Sequence, residues 1–379
     1  MAGELKRTEL YQWHVDHGGR MVPFAGWEMP VQYPTGPIEE HHITRRAAGL
    51  FDIDHMGQIV VNGADAEAYL NRLVTWDIRS MAENEAHYAL MCYDNGGIVD
   101  DVFIYRLPDR WFVVVNASNL DKDVAWMQQH MDNFDVTVTD VSLETYMMAL
   151  QGPQAIPLLQ RLCNADLDAV PRFTAIEAKV AGIDAMIGRT GYTGEDGVEL
   201  FLPAQHALTV WQAILDEGAN AQIEVAPIGL AARDSLRFEP AFALYGHEIN
   251  EDTTPLEANL SWACNFDSDF IGRDALLAQK AAGITKKLIG FELTERGVPR
   301  EGYVVTDADG AEIGVVVTGL YAPTVDKYCG HAFVDPAMPR WERRYTSSFA
   351  TAPRPRWWCA GHFTNRVIGS GLKVMTNNN

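Results

Sequence analysis

Residues 87–105 read HYALMCYDNGGIVDDVFIY, two apolar runs separated by a turn sequence. Asn-Gly between two apolar runs is the strongest short signal for a β-hairpin. The pattern therefore predicts a strand over 87–92, a turn over 94–97 and a returning strand over 98–105. Because the hairpin lies among mixed strands and helices, we expect an antiparallel α+β layer rather than a doubly wound parallel sheet.

The same mixture of short strands and helices continues on both sides of this hairpin. Apolar periods predict strands at 58–62 and 111–116 and helices at 64–73 and 121–131. A similar order recurs later in the chain, with elements expected at 146–151, 154–163, 178–188, 197–202 and 207–217. From residue 286 onward only strands and turns are indicated, which predicts a small all-β C-terminal domain.

Length and charge limit the classes of function. The 379 residues allow two or three domains with ample core. Lys and Arg number 30 against 51 Asp and Glu, a net charge of −21. A field of that sign repels phosphate backbones, so we expect no nucleic-acid partner.

Targeting, membrane and metal signals are weak in this chain. The N-terminus lacks a signal-peptide apolar core, and no apolar run approaches the roughly 18 residues of a membrane span. We therefore expect a cytoplasmic protein with no membrane association. Neither the histidines nor the five cysteines have metal-ligand spacing, so we expect no metal and reduced thiols at Cys92, Cys163, Cys264, Cys329 and Cys359.

Residues 338–379 differ from the rest of the chain. They hold seven Lys and Arg residues against one acidic residue, three Trp and no strand or helix period. One interpretation is a basic, aromatic arm for a nucleic acid or an acidic partner. We favour another, that the segment is encoded out of frame from near Ala337, because a shifted frame through Trp357 and Trp358 encodes a strand-like valine run.

The Asp100-Asp101 pair follows the predicted hairpin turn. Adjacent residues of a strand face opposite sides, so one carboxylate can point into the layer. An inward carboxylate is costly unless it is paired or functional. The sequence leaves two interpretations open: a pair that caps the turn, or one buried carboxylate that contacts a substrate amine.

A second polar stretch, RTGYTGEDGVEL at 189–200, lies between two predicted strands. Its glycines allow close backbone approach, and Glu199 offers a carboxylate suited to a heterocycle with two adjacent N–H donors. The following stretch 227–237 predicts a helix that carries Arg233 and Arg237. Salt bridges are the ordinary role of such residues, and recognition of a ligand carboxylate is the alternative.

Seven motifs, in family order, closely resemble the T-protein family, the aminomethyltransferases of the glycine cleavage system. They are FAGW at 24–27, FDIDHM at 51–56, GGIVDD at 96–101, ALQGP at 149–153, GYTGEDGVE at 191–199, LAARDSL at 230–236 and LYG at 244–246. The resemblance covers about residues 5 to 337.

The resemblance implies a three-domain clover-leaf fold around a channel that binds tetrahydrofolate. On this basis we expect a discontinuous folate-binding α+β domain at 1–50 plus 140–275. A second α+β domain at 51–139 would carry the Asp pair, followed by a barrel-like β domain at 276–337 and the atypical segment 338–379. Both α+β domains should be antiparallel.

The family reaction takes the aminomethyl group from the lipoyl arm of the H-protein, releases ammonia and forms 5,10-methylenetetrahydrofolate. The resemblance assigns the critical acid to Asp101, the pterin edge to Glu199 and the anionic side of the ligand to Arg233. It also implies a pocket lined by Tyr88, Met56, Tyr105, Asn116, Tyr192 and Tyr245. An ionised Asp101 could stabilise iminium-like charge and organise proton transfer, without forming a covalent bond.

Two other functions fit the same pocket. Related folate-dependent proteins demethylate small methylated substrates, and fold-level similarity does not fix the substrate. A non-catalytic, folate-binding accessory protein is the second alternative. The GYTGEDG motif at 191–197 and the AARDS motif at 231–235 together favour the aminomethyltransferase over a demethylase. The joint presence of Asp101, Glu199 and Arg233 argues against an accessory protein.

Overall fold

A computed structural model describes residues 4–294, 297–307, 310–336 and 373–375. The chain divides into two compact units, one formed by 1–91 with 100–240 and the other by 92–99 with 241–379. The expected domain boundaries stay a prediction. The hypothesis of an out-of-frame segment concerns residues that lie outside the described ranges, apart from 373–375.

The elements follow in chain order. The helices are α1 (Tyr11–Asp16), α2 (Pro37–Arg46), α3 (Ala66–Leu73), α4 (Leu120–Gln129), α5 (Ala155–Gln160), α6 (Ala207–Ala221), α7 (Leu230–Phe238) and α8 (Arg273–Ala282). The strands are β1 (Arg20–Phe24), β2 (Trp27–Gln32), β3 (Ala48–Asp52), β4 (Gly57–Asn62), β5 (Ala86–Cys92), β6 (Ile98–Arg106), β7 (Trp111–Val115), β8 (Thr137–Asp140), β9 (Thr145–Gln151), β10 (Ala175–Val180), β11 (Ile183–Gly188), β12 (Gly197–Pro203), β13 (Val225–Pro227), β14 (Lys287–Glu292), β15 (Val304–Thr306), β16 (Glu312–Ala322), β17 (Lys327–Val334) and β18 (Lys373–Met375).

The larger unit contains two main sheets. One has six strands in the order β10-β11-β12-β9-β3-β13, and the other has five in the order β5-β6-β7-β4-β8. Strands β1 and β2 form a separate hairpin. Helices alternate with these mostly antiparallel strands along the chain, which confirms the expected α+β class.

Two apolar cores formed by described residues of this unit lie against the six-stranded sheet. One covers the six-stranded sheet with α5 and α6 and is centred on the fully buried Trp211. The second joins residues of both sheets, including Phe112 and Val114 of β7 and Met147 and Phe201 of β9 and β12. The facing sides of the two sheets are thus held by a shared core, and this core supports the site described below.

The structure differs from the sequence prediction in two places. The single strand expected over 178–188 is a hairpin, because Ala181 and Gly182 both take positive φ angles of 50° and 83° and reverse the chain. Residues 225–227 form β13, which pairs in parallel with β3, so the expected helix begins only at Leu230. The expected antiparallel pairing therefore does not hold at this edge.

The smaller unit contains the C-terminal sheet, in the order β14-β17-β16-β15-β18. This confirms the expected all-β C-terminal domain. Within the described residues the sheet does not close into a barrel, since β14 and β18 are its two edges. The predicted 94–97 turn also belongs to this unit, and a Cβ at Gly97 would lie 1.9 Å from the carbonyl oxygen of Glu251.

Two further findings concern the described part of the chain. None of its helices is long and apolar enough to cross a membrane. Its four cysteines, Cys92, Cys163, Cys264 and Cys329, are not joined in disulfides, and Cys359 lies outside the described residues.

Candidate active site

The Asp100-Asp101 pair lies near the start of β6, and the alternation of the strand separates the two side chains. Asp100 is fully buried. Its Oδ1 accepts hydrogen bonds from the side-chain amides of Asn116 (2.9 Å) and Asn119 (2.6 Å), and its Oδ2 accepts from the Asn116 backbone N–H (3.0 Å). The preceding turn is instead capped by Asn95, whose Oδ1 accepts from the Gly97 N–H at 2.9 Å.

Asp101 is half-buried and projects from the face of β6 opposite to that of Asp100. Its Oδ1 accepts from the Asn116 amide at 2.6 Å, and its Oδ2 accepts from the Tyr88 hydroxyl at 3.1 Å. Burial, followed by the charge of Asp100, raises the pKa of Asp101 to about 7, while the bonds from Asn116 and Tyr88 act against the rise. The carboxyl can therefore gain or lose a proton near neutral pH.

Glu199 lies on β12, where the sequence placed it. Its Oε2 accepts from the hydroxyls of Thr190 (2.5 Å) and Tyr105 (3.2 Å), and these two hydroxyls are themselves 2.8 Å apart. Burial raises the pKa of Glu199, and the two hydroxyl donors and the Arg233 guanidinium act against that rise. The carboxylate is thus held in one orientation by donors from a strand and a loop.

The glycine-rich loop before β12 is anchored through Gln151. The Gln151 amide donates to the carbonyls of Thr190 (3.1 Å) and Val198 (3.2 Å), and its Oε1 accepts from the Thr193 hydroxyl (2.9 Å). A Cβ at Gly191 would lie 1.9 Å from that Oε1. This is the close approach that requires a glycine at position 191.

Arg233 projects from α7 towards the same loop. Its guanidinium carbon lies 4.6 Å from the centroid of the Tyr192 ring, a cation–π contact. Burial lowers the pKa of Arg233, and Tyr192 and Glu199 act against the change. Arg237, the other arginine on this helix, is 1% exposed and pairs with Asp234 at 2.8 Å. The two arginines therefore differ, and Arg233 is the one beside the site.

Buried polar contacts fix α7 and the loop relative to each other. Glu40 is fully buried and accepts from the backbone N–H of Gly229 (2.7 Å), at the start of α7. Arg45 donates to the Thr193 carbonyl (2.6 Å) in the loop and to Glu239 (2.8 Å) just beyond α7. The helix that carries Arg233 is thus positioned by two residues of α2.

The structure brings most of the expected site residues into one unit. Tyr88 and Asn116 contact Asp101, while Tyr105 contacts Glu199. Met56 packs against the core shared by the two sheets. Tyr245 belongs to the smaller unit, where its hydroxyl donates to the Ile98 carbonyl at 3.2 Å, so its place in the site stays a prediction.

Three neighbours of the site were not anticipated. Phe103 lies between Asp101 and Tyr105 on the same face of β6, which the period of two along the strand already implies. Its ring stacks with Phe173, 6.3 Å between centroids, and Phe173 is 49% exposed with a φ of +60°. Asn119 is the third, and no local pattern indicates that it contacts Asp100.

Among the described residues, no group of three or more His, Cys, Asp or Glu side chains is arranged to hold a metal ion. The absence of a metal therefore stays an expectation.

Comparison with family models shows two matches in chain order. The GCVT N-terminal domain matches residues 10–268, and the glycine cleavage T-protein C-terminal barrel domain matches residues 286–354. The first match alone spans more than half of the chain. It includes both carboxylates, Asp101 and Glu199, and Arg233.

Comparisons with individual proteins agree. Aminomethyltransferases of Herpetosiphon aurantiacus and Desulforamulus reducens are 49% and 48% identical, over 87% and 88% of this chain and 90% of each relative. The crystal structure of the glycine cleavage system aminomethyltransferase T from Bartonella henselae matches with a TM-score of 0.82 and 34% identity, covering 87% of this chain and 90% of that one. The chain thus belongs to the glycine cleavage T-protein family and is an aminomethyltransferase.

Proposed function

We propose that this chain transfers the one-carbon unit of an aminomethyl group from a lipoylated H-protein to tetrahydrofolate, with ammonia as the second product. Its family uses tetrahydrofolate as a substrate and acts with the H-protein. The observation that carries the proposal is a pair of oriented carboxylates on one face of β6. Asp101 lies on β6 itself, and Glu199 accepts a hydrogen bond from Tyr105 of the same strand.

The Glu199 end fits the pterin ring. A carboxylate has about four acceptor positions, and here two hydroxyl donors occupy one oxygen, which leaves acceptor positions for a ligand. Two adjacent N–H donors on a heterocycle match that remaining capacity. The Arg233 cation beside Tyr192 adds a group that can attract the anionic part of the same ligand.

The Asp101 end fits the transfer step. Attack by one folate nitrogen on the aminomethyl carbon breaks the carbon–nitrogen bond and releases ammonia. Attack by the second folate nitrogen breaks the carbon–sulfur bond to the lipoyl arm, which leaves as a thiol. The departing sulfur takes up a proton, and each attacking nitrogen must lose one. A carboxyl with a pKa of about 7 can exchange such a proton at neutral pH. Its ionised form can also stabilise positive charge on the one-carbon unit.

The spacing of the two ends supports one ligand spanning both. Asp101 and Tyr105 share a face of β6 and are four residues apart, which is about 13 Å along a strand. Phe103 lies between them and offers an aromatic surface. A flat bicyclic ring with a hydrogen bond at each end suits this arrangement.

The experiment compares two substitutions that keep side-chain size. With aminomethylated H-protein and tetrahydrofolate, Asp101→Asn should lower the turnover number by about 10²- to 10⁴-fold, because it removes the proton-exchanging group. Folate binding measured by calorimetry should change little. Glu199→Gln should have the opposite effects: folate binding should weaken, and the turnover number at saturating folate should be largely retained.

The controls separate the alternatives. Normal turnover in Asp101→Asn would refute the role given to that carboxylate. One-carbon transfer from a small methylated substrate without H-protein would indicate a folate-dependent demethylase. Folate binding without any transfer by the unmodified chain would indicate an accessory folate-binding protein.

A further inference from the structure

The buried carboxylate next to Asp101 has an unusual set of partners. Asp100 accepts three N–H donors, two from Asn116 and one from Asn119, at 2.6 to 3.0 Å. Both of its oxygens act as acceptors, which is the geometry of an ionised carboxylate. Within the described residues, no Lys or Arg forms an ion pair with it.

We propose that Asp100 is a positioning residue for the transfer reaction, which fixes the amide of Asn116 against Asp101 and keeps a second negative charge beside it. The proposal rests on the function proposed above for Asp101. It gives a distinct role to a side chain that faces away from the site. Asp100 has a geometric effect and an electrostatic effect on Asp101.

The geometric effect concerns the orientation of the Asn116 amide. Its Nδ2 donates to Asp100 Oδ1 (2.9 Å) and to Asp101 Oδ1 (2.6 Å), so one nitrogen joins the two carboxylates. If the amide turned over, its oxygen would face both carboxylates, which only accept. Asp100 also holds the Asn116 backbone N–H at 3.0 Å. The residue is therefore fixed at its backbone and at its side chain.

The electrostatic effect concerns the groups packed around the pair. Asp123, on α4, is fully buried, and within the described ranges no N–H or hydroxyl group donates to its carboxyl oxygens. Its carboxyl lies within hydrogen-bonding reach of the Asp100 carboxylate. Burial, then the charge of Asp100, raises the pKa of Asp123 to about 11, so this side chain is neutral at pH 7. Lys122 acts on Asp123 in the opposite direction. The charge of Asp100 is therefore the neighbouring charge with the largest effect on both Asp123 and Asp101.

The remaining neighbours of Asp101 carry little charge at neutral pH. Burial raises the pKa of the Tyr88 hydroxyl well above its ordinary value, so it stays a neutral donor. Tyr192 of the loop adds to the rise in the pKa of Tyr88. After burial, the charge of Asp100 is thus the next largest cause of the raised pKa of Asp101. Removing that charge should lower the pH at which Asp101 ionises.

Three variants test the proposal. Asp100→Asn removes the charge, Asp100→Glu keeps the charge but moves its oxygens, and Asp123→Asn is a matched control that replaces a neutral carboxyl with an amide of the same size. The first readout is the pH dependence of kcat/KM with aminomethylated H-protein and tetrahydrofolate. The second is the carbon-13 titration of the Asp101 carboxyl, assigned by its loss in Asp101→Asn and independent of any substrate.

We expect Asp100→Asn to move the acid limb of the profile and the Asp101 titration to lower pH by about one unit. The turnover number should fall about tenfold through the released Asn116. Asp100→Glu should lose turnover with little movement of the acid limb, and Asp123→Asn should match the unmodified chain in both readouts.

An unchanged Asp101 titration in a folded Asp100→Asn variant would overturn the electrostatic part of the proposal. Should Asp100→Asn not fold, an unchanged turnover number in Asp100→Glu would overturn the positioning role. The two failures can be told apart. If the proposed function is wrong, the unmodified chain shows no transfer activity, and the carbon-13 titration still tests the effect of Asp100 on Asp101.

Discussion

Replacing Asp54 with asparagine should stabilise the protein, and the gain should grow as the pH rises. Asp54 lies in the turn after β3 and is 6% exposed. Its Oδ1 accepts from the Met147 N–H at 3.0 Å, a bond that an asparagine oxygen can also accept. Burial, followed by the charge of Asp52, raises the pKa of Asp54 to about 9. The folded chain thus retains a proton here that the unfolded chain releases.

The size of the effect follows from linkage. An unfolded aspartate has a pKa of about 3.9, so Asp54 contributes stability that is complete below that pH and is lost as the pH rises towards about 9. The loss approaches about 1.4 kcal/mol for each pH unit. Between pH 5 and pH 8 this is up to about 4 kcal/mol. Asparagine does not titrate, so the Asp54→Asn variant escapes this loss.

The assay is urea unfolding of both proteins at pH 5, 6, 7 and 8, followed by tryptophan fluorescence. The difference in unfolding free energy between variant and unmodified chain cancels every other titrating group and isolates Asp54. Asp132, which is exposed, supplies the control Asp132→Asn, which makes the same chemical change at the surface. A difference for Asp54→Asn that does not change with pH would refute the conclusion that Asp54 is protonated in the folded state.

Two further predictions concern the site and one the fold. Tyr105→Phe removes a donor to Glu199 and should weaken folate binding about 3- to 10-fold in calorimetry, with a small loss of thermal stability because the buried Thr190 hydroxyl and Glu199 each lose a partner. Gly191→Ala places a methyl group 1.9 Å from an oxygen of Gln151, so a thermal melt should show a midpoint several degrees lower, together with weaker folate binding. Gly97→Ala, whose Cβ would lie 1.9 Å from a backbone carbonyl, should destabilise the hairpin turn, measured as faster amide hydrogen exchange over 92–99.

Short sequence patterns predicted the elements that depend on neighbouring residues, such as turns and regular strands. The 94–97 turn formed where Asn-Gly placed it, and β6 extends over 98–106, one residue beyond the prediction. The Ala181–Gly182 reversal was missed because alanine seldom takes a positive φ and does not mark a turn by its side chain. Strand β13 was missed because three residues give no period, and its identity comes from pairing with β3.

The site likewise combines features that short patterns predict with contacts between distant residues. Glu199 and Arg233 could be proposed because a glycine loop and an arginine-bearing helix are local features. The partners that tune them are distant in sequence: Asn119 reaches Asp100 across 19 residues, and Tyr105 reaches Glu199 across 94. Such contacts depend on how two sheets pack, which one sequence alone does not encode in any short pattern.

The order of strands in the larger unit has a consequence for synthesis on the ribosome. All strands of the five-stranded sheet come from one continuous segment, residues 57–140. In the six-stranded sheet, β3 pairs with β9 and with β13 at 225–227, which are synthesised much later. Contacts of long sequence separation close large loops and form slowly. We therefore expect the half of the site around Asp101 to acquire its strands during translation, well before the half around Glu199 has left the ribosome.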